Sequence, residues 1–169
     1  MIRTRTALLA AAGALALITL PGCYKAATPV GTVPAQQQQP ASLTLAATEI
    51  SGIGSVATDS NGMTLYIFTK DKNKPSASNC NGDCAAKWPP MLATSETVAV
   101  QGIDQGLVGF VTRKDGTKQV TLNGWPLYQF AQDKAPGEAK GQGVGGTWFA
   151  VTPQGKKATA QAADEGYSY

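Results

Sequence analysis

Three observations predict an all-β fold: a twelve-residue string that occurs twice, an Asn-Gly pair inside each copy, and no stretch with a convincing amphipathic helical period. Residues 61–72 and 123–134 agree at seven of twelve positions at a constant offset of 62. Asn61, Gly62, Leu65, Tyr66, Phe68, Asp71 and Lys72 recur as Asn123, Gly124, Leu127, Tyr128, Phe130, Asp133 and Lys134. Identity that keeps Tyr, Phe and Asp in register marks two copies of one supersecondary unit. Trp88 and Trp148 follow the copies at an offset of 60, so the units differ by a small indel. The predicted architecture is a small single domain over 48–157, built of two tandem hairpin or meander repeats at about 53–92 and 107–152, sandwich- or barrel-like.

Asn-Gly between apolar residues is a strong hairpin signal, because both central positions of a type I′ turn need positive φ, which Asn tolerates and Gly prefers. Residues 53–59 are therefore expected to pair with 63–70 across Asn61-Gly62, and 118–122 with 125–131 across Asn123-Gly124. Residues 107–113 should pair with 118–122 across the loop at 114–117, making the second unit a three-stranded meander. A further strand is expected over 146–152, where Trp148, Phe149 and Val151 precede the turn Pro153-Gln154-Gly155. The best helical candidate is 83–88, which Pro89-Pro90 ends at once. The glycine-rich run 141–146 lacks the strand-to-helix setting and the Lys-Ser/Thr pair of a nucleotide loop, and reads as a bulged approach to Trp148.

The chain before the repeats is different in kind. Arg3 and Arg5 precede an apolar run over 7–20 that ends in Leu20-Pro21-Gly22-Cys23. A charged start, an apolar stretch too short for a bilayer of about 30 Å and a small residue before a cysteine make residues 1–22 a lipoprotein signal peptide. The mature chain then begins at Cys23, whose thiol takes a diacylglycerol and whose freed amine takes a third chain. At about 0.8 kcal/mol per buried methylene, three chains anchor far better than one. Pro21 is unusual in such a signal, and a secreted protein with a free Cys23 thiol is the other reading. Tyr24 is not the Asp that favours inner-membrane retention, so in a host with two membranes the outer one is expected. Residues 23–47, with Pro29, Pro34, Pro40 and four glutamines at 36–39, read as a disordered linker whose reach is on the order of 25 Å. Residues 158–169 read as a flexible tail.

Removing residues 1–22 takes two of the 14 basic residues and none of the 11 acidic ones, so the net charge falls from +3 to +1. No basic block is interleaved with aromatics, and nucleic acid is not an expected partner. The expected partners are the membrane, through the lipid, and an envelope protein or small-molecule ligand. The sequence has no histidine, which removes Ser-His-Asp and Cys-His catalysis, His-ligated zinc or copper, and C-x-x-C-H haem attachment. No catalytic residue, resident metal or cofactor is expected.

The repeated string, carried by Tyr66, Phe68 and Asp71 and by Tyr128, Phe130 and Asp133, resembles the family of bacterial lipoproteins and secreted repeat proteins marked by a Y-x-[FWY]-x-x-D motif. Segments 80–90, 123–128 and 141–148 resemble it as well. The resemblance implies an envelope location, a tandem repeat and a disulfide-permissive fold. It implies no reaction, because the family is itself of unknown function.

On a strand Tyr66 and Phe68 share one face, and Leu65 and Ile67 the other. Four such rings, two per unit, would close a small core, each burying about 150–250 Å². The alternative is an exposed aromatic platform for a flat ligand such as a glycan or quinone. Asp71 and Asp133 read as loop caps that accept backbone N–H bonds, with a facing acid–base pair for glycan chemistry as the alternative.

Cys80 and Cys84 are expected to pair in an oxidising envelope. Helical spacing would hold their Cβ atoms roughly 5–6 Å apart, beyond the approximately 3.5–4.5 Å of a disulfide, so residues 81–83 must turn more tightly, which Gly82 allows. A redox-active dithiol and a copper(I) site remain alternatives, with Met63 and Met91 as the thioethers left after cleavage. The leading expectation is a membrane-anchored envelope lipoprotein acting as a non-catalytic binding or structural module. The alternative is a thiol-redox or copper-handling protein centred on Cys80 and Cys84.

Overall fold

Turn chemistry and two-residue alternation set the elements, and the repeats then exchange strands. The computed structural model describes residues 43–159. The signal segment, Cys23, the linker up to residue 42 and the tail beyond 159 lie outside the described residues. The first sheet is formed by β1 (Thr44–Ile50), β2 (Gly54–Thr58) and β6 (Ala99–Gln101), with β1 in the middle, antiparallel to β2 and parallel to β6. Between β1 and β6 lie β3 (Tyr66–Phe68), the small hairpin of β4 (Lys72–Asn73) and β5 (Ser76–Ala77), and the one-turn helix α1 (Asp83–Lys87). The second repeat contributes β7 (Val108–Thr112), β8 (Lys118–Leu122), β9 (Trp125–Pro126) and β10 (Trp148–Ala150).

The meander β7-β8-β9 pairs β7 with β8 as expected, Phe110 opposite Val120, but the expected partnership of 118–122 with 125–131 ends at Leu127, because residues 128–131 bond instead to Tyr66 and to the segment 87–89. Its turn is a two-residue loop with Asn123 at φ +50 and Gly124 at φ +79, as a type I′ turn requires. The first Asn-Gly behaves differently. Only Gly62 has positive φ, and Asp59 Oδ1 accepts the N–H groups of Asn61 (2.8 Å) and Met63 (3.0 Å), making a wider loop. The pairing of 53–59 with 63–70 is correspondingly short. It is limited to a Thr58–Thr64 bridge and the bonds Asp59 N–H to Met63 O and Leu65 N–H to Ala57 O. The principal partner of β2 is β1, a strand that the sequence reading placed largely in the linker.

That linker boundary at 47 is corrected by Leu45, which is fully buried and needs a strand to carry it inward. The tail boundary moves as well. Ala158 is buried, its N–H bonds the Ala150 carbonyl, and its carbonyl accepts from Gln142 Nε2 at 2.9 Å.

The motif strand of each repeat pairs with the last strand of the other. β3 runs antiparallel to β10, with Tyr66 opposite Ala150. In the same way Tyr128 bridges to Pro90, while Ala131 N–H bonds Lys87 O and Met91 N–H bonds Leu127 O. At the centre Tyr66 and Tyr128 exchange both backbone bonds, at 2.8 and 3.0 Å. Alternation along the motif strands then divides the interior as expected. Leu65, Ile67 and Leu127 join an aliphatic core with Leu45, Val120 and Val151. Tyr66, Tyr128 and Phe130 lie in an aromatic core with Trp88 and Trp148, and Phe68 packs against it.

Leu45→Ala is expected to lower unfolding stability by about 2–5 kcal/mol in urea titration, the range for a large-to-small change in a well-packed core. A linker residue would change it by a few tenths at most.

Candidate functional site

The motif tyrosines and aspartates come together across the repeats. Tyr66 Oη donates to Asp133 Oδ2 at 2.6 Å, and Tyr128 Oη donates to Asp71 Oδ2 at 2.7 Å. The other oxygen of each carboxylate caps its own loop, Asp71 Oδ1 accepting from Asn79 N–H at 2.7 Å and Asp133 Oδ1 from Lys140 N–H at 3.0 Å. The expected capping role is therefore present. What the sequence did not indicate is the second bond, from the tyrosine of the opposite repeat.

The rings cross over too. Phe68, Trp148, Trp88 and Phe130 form a continuous stack, with successive centroids 4.3, 3.9 and 4.2 Å apart. Each motif Phe thus lies on the tryptophan of the other repeat. Tyr66 and Tyr128 meet Trp88 and Trp148 edge-on, at 5.4 and 5.1 Å. Except for half-buried Phe68, all these rings are buried, which overturns the exposed aromatic platform. The glycine-rich run contributes a close approach here. A Cβ on Gly141 would stand 2.7 Å from the Tyr66 ring and 2.9 Å from Trp88, and Gly141 N–H points at Tyr66 Oη, 3.3 Å away.

One side of this core carries a buried cation that the sequence reading missed. Arg113 Nη1 donates to Ser78 Oγ and Gln119 Oε1, both at 2.7 Å, and Nη2 donates to Cys80 O at 2.7 Å. Ser78 Oγ in turn lies 2.8 Å from Tyr128 Oη. The chain from Arg113 through Ser78 and Tyr128 ends at Asp71. An arginine at the end of a strand carries no local signal of burial, and only the fold shows its partners.

Burial pushes the Asp71 carboxyl above the ordinary aspartate range, while Tyr128, Asn79 and Arg113 pull it partly back. Burial likewise raises Asp133, opposed first by Tyr66 and then by the Lys140 N–H. Both tyrosines are pushed far up, by burial above all and then by their carboxylate neighbours, so they remain protonated donors. In this arrangement both oxygens of each aspartate are engaged within the protein. The geometry is that of a structural clasp rather than of a facing acid–base pair.

Cys80 and Cys84 form a disulfide with Cα atoms 5.2 Å apart. Gly82 at φ +55 supplies the tight turn, so that Cys80 lies outside α1 and Cys84 within its first turn. Met91 is buried in the aliphatic core and Met63 sits on the Asn61-Gly62 loop, away from the aromatic core that holds Cys80.

Two matched segments, residues 48–91 and 109–152, place the chain in a family described as a secreted repeat of unknown function, and the chain belongs to it. These segments contain both copies of the clasp. No curated protein and no solved structure matches the chain.

The two raised carboxyls bind protons in the fold at a pH where the unfolded chain has released them, so their contribution to stability is complete below about pH 3.8 and is lost as pH rises through the folded values. Glu96, Asp115 and Glu138 are held low by exposed partners and act in the opposite sense. Urea midpoints measured against pH for the wild type and for Asp71→Asn/Asp133→Asn isolate the clasp. The double variant is expected to lose the part of the slope that falls with rising pH.

Replacing both cysteines by alanine is expected to cost about 2 kcal/mol, the loop-closure value for so small a ring. The near-UV circular dichroism of the stacked tryptophans should survive, because the stack rests on strands from both repeats.

Proposed function

We propose that this protein is a lipid-anchored cell-envelope lipoprotein whose β domain is a non-catalytic binding or structural module. The observation that carries the reading is the clasp: the most reactive-looking polar groups of the repeat, two tyrosines and two aspartates, are engaged with one another inside the fold. Membership of a secreted family supports an extracellular or envelope setting. The sequence Leu20-Pro21-Gly22-Cys23 supports acylation at Cys23, and the Pro- and Gln-rich stretch after it supports display of the domain away from the lipid surface. Among the described residues no helix is long and apolar enough to cross a membrane, so the anchor in this reading is the lipid. The disulfide serves as a brace for the loop that Arg113 grips, in place of a redox or copper centre.

The test is fractionation of a bacterial host expressing the full chain, fed an alkyne-tagged fatty acid. Wild type is expected in the membrane fraction with the tag attached, and Cys23→Ser in the soluble fraction without it. An untagged, soluble wild-type protein would overturn the anchor.

A further inference from the structure

The rings and carboxylates at the centre of the domain are arranged in the order of a charge path. Trp148 and Trp88 lie face to face, 3.9 Å apart with planes 2° from parallel. Trp88 meets the Tyr66 ring edge-on at 5.4 Å, and Trp148 meets Tyr128 at 5.1 Å. Each phenol then donates to a carboxylate, Tyr66 to Asp133 at 2.6 Å and Tyr128 to Asp71 at 2.7 Å. Indole and phenol are the side chains most readily oxidised by one electron where no free thiol competes, and Cys80 and Cys84 are joined in a disulfide. Packing alone does not require the polar part of this arrangement. A Phe at position 66 would fill the same space with no hydroxyl to satisfy, and apolar replacement of buried polar groups is often neutral or stabilising.

The path has a wet end and a dry end. Neither indole N–H has a protein partner, and among the described residues Arg113 Nε is the one buried side-chain polar atom left without one, so both indole edges reach solvent. Tyr66 and Tyr128 are fully buried. The two phenols differ as resting places for a radical, because each must pass its proton to its own carboxylate. At Asp71 the Arg113 guanidinium opposes protonation, and the Tyr128 oxygen is shared with Ser78 Oγ at 2.8 Å. At Asp133 the nearby Glu138 charge favours the proton more than Lys140 opposes it.

We propose that the aromatic core is a one-electron relay: an oxidising radical takes an electron from Trp148 or Trp88 at the solvent edge, and the hole moves to Tyr66 as its O–H proton passes to Asp133 Oδ2. The oxidant leaves reduced by one electron and the indole is restored. The products are a tyrosyl radical and a neutral Asp133 carboxyl, so charge and protons balance. This activity goes beyond the binding or structural reading and does not depend on the lipid anchor. Pulse radiolysis of the purified full chain with azide radical, which oxidises indoles, tests it in a Trp125→Phe background, because Trp125 packs against the aliphatic core outside the stack. The indolyl absorption is expected to decay into tyrosyl absorption in a first-order step independent of protein concentration. Tyr66→Phe should remove most of the tyrosyl amplitude and Tyr128→Phe little of it. Asp133→Asn keeps an acceptor oxygen without the basicity, and should slow the transfer by about a hundredfold, the lower end of what a positioned proton acceptor contributes, with near-UV circular dichroism unchanged. Should Tyr66→Phe disturb folding, Asp133→Asn decides alone. Indolyl decay without tyrosyl growth, a tyrosyl yield indifferent to Tyr66, or an unchanged rate in Asp133→Asn would each overturn the relay.

Discussion

A carboxylate buried without partners is costly enough that a fold must either expose it or satisfy it. In each repeat the motif aspartate is satisfied on one oxygen by its own loop and on the other by the tyrosine of the opposite repeat. Neither repeat can therefore complete its interior alone. The same crossing holds for the backbone bonds between Tyr66 and Tyr128, for the β3-β10 pair and for the Phe–Trp stack. All four couple residues far apart in the chain, so the stabilising contacts form together or not at all. This places the protein among topologies dominated by non-local pairing, which fold slowly because loop closure precedes its reward.

Arg113 breaks the symmetry of the clasp. Asp71 lies at the end of a chain that begins at this buried guanidinium, whereas Asp133 has only the Lys140 backbone N–H beside its tyrosine. A buried ion is weak evidence for stability, because desolvation offsets much of the attraction. Its Nε has no hydrogen-bond partner and lies 3.7 Å from Asp115 Oδ2. What Arg113 does supply is position. It joins a strand of the second repeat to the carbonyl of Cys80 and the hydroxyl of Ser78 in the long loop of the first. The disulfide closes the same loop a few atoms away, so covalent and polar restraints converge on one segment.

Features that depend on neighbours in sequence were legible, and features that depend on the opposite repeat were not. The opposite faces of Tyr66/Phe68 and Leu65/Ile67 follow from strand period alone, and the two cores separate along that line. Asn123-Gly124, the one-turn helix stopped by Pro89-Pro90 and the loop caps at Asp71 and Asp133 are likewise local chemistry. Asn61-Gly62 has the same letters as its twin and a different turn, because Asp59, where the second repeat has Leu122, captures two backbone N–H groups. The first half of β1 was hidden since Thr44, Ala46 and Ala47 resemble the linker in composition, leaving Leu45 as the sole large apolar residue of 44–47. The crossed bonds had one faint signal: a Tyr and an Asp repeated in register, one within and one just after an inward-facing segment, must find partners. Nothing local says that the partner is in the other copy.

Duplication gives two examples of every surface but requires only one interior, and this asymmetry decides where the repeats can diverge. Changes to Tyr66, Tyr128, Asp71 or Asp133 leave a group unpaired in the opposite half, so the inward positions are coupled in pairs. The sheet faces carry no such coupling. Opposite Thr58 the first repeat keeps Ala46 and Thr48, which fill the space and satisfy the hydroxyl. Opposite Thr121 the second carries Gly109 and Val111, which leave that space open, at no cost to the clasp. Divergence between the repeats therefore falls on the outer faces, with the shared interior holding those faces in place.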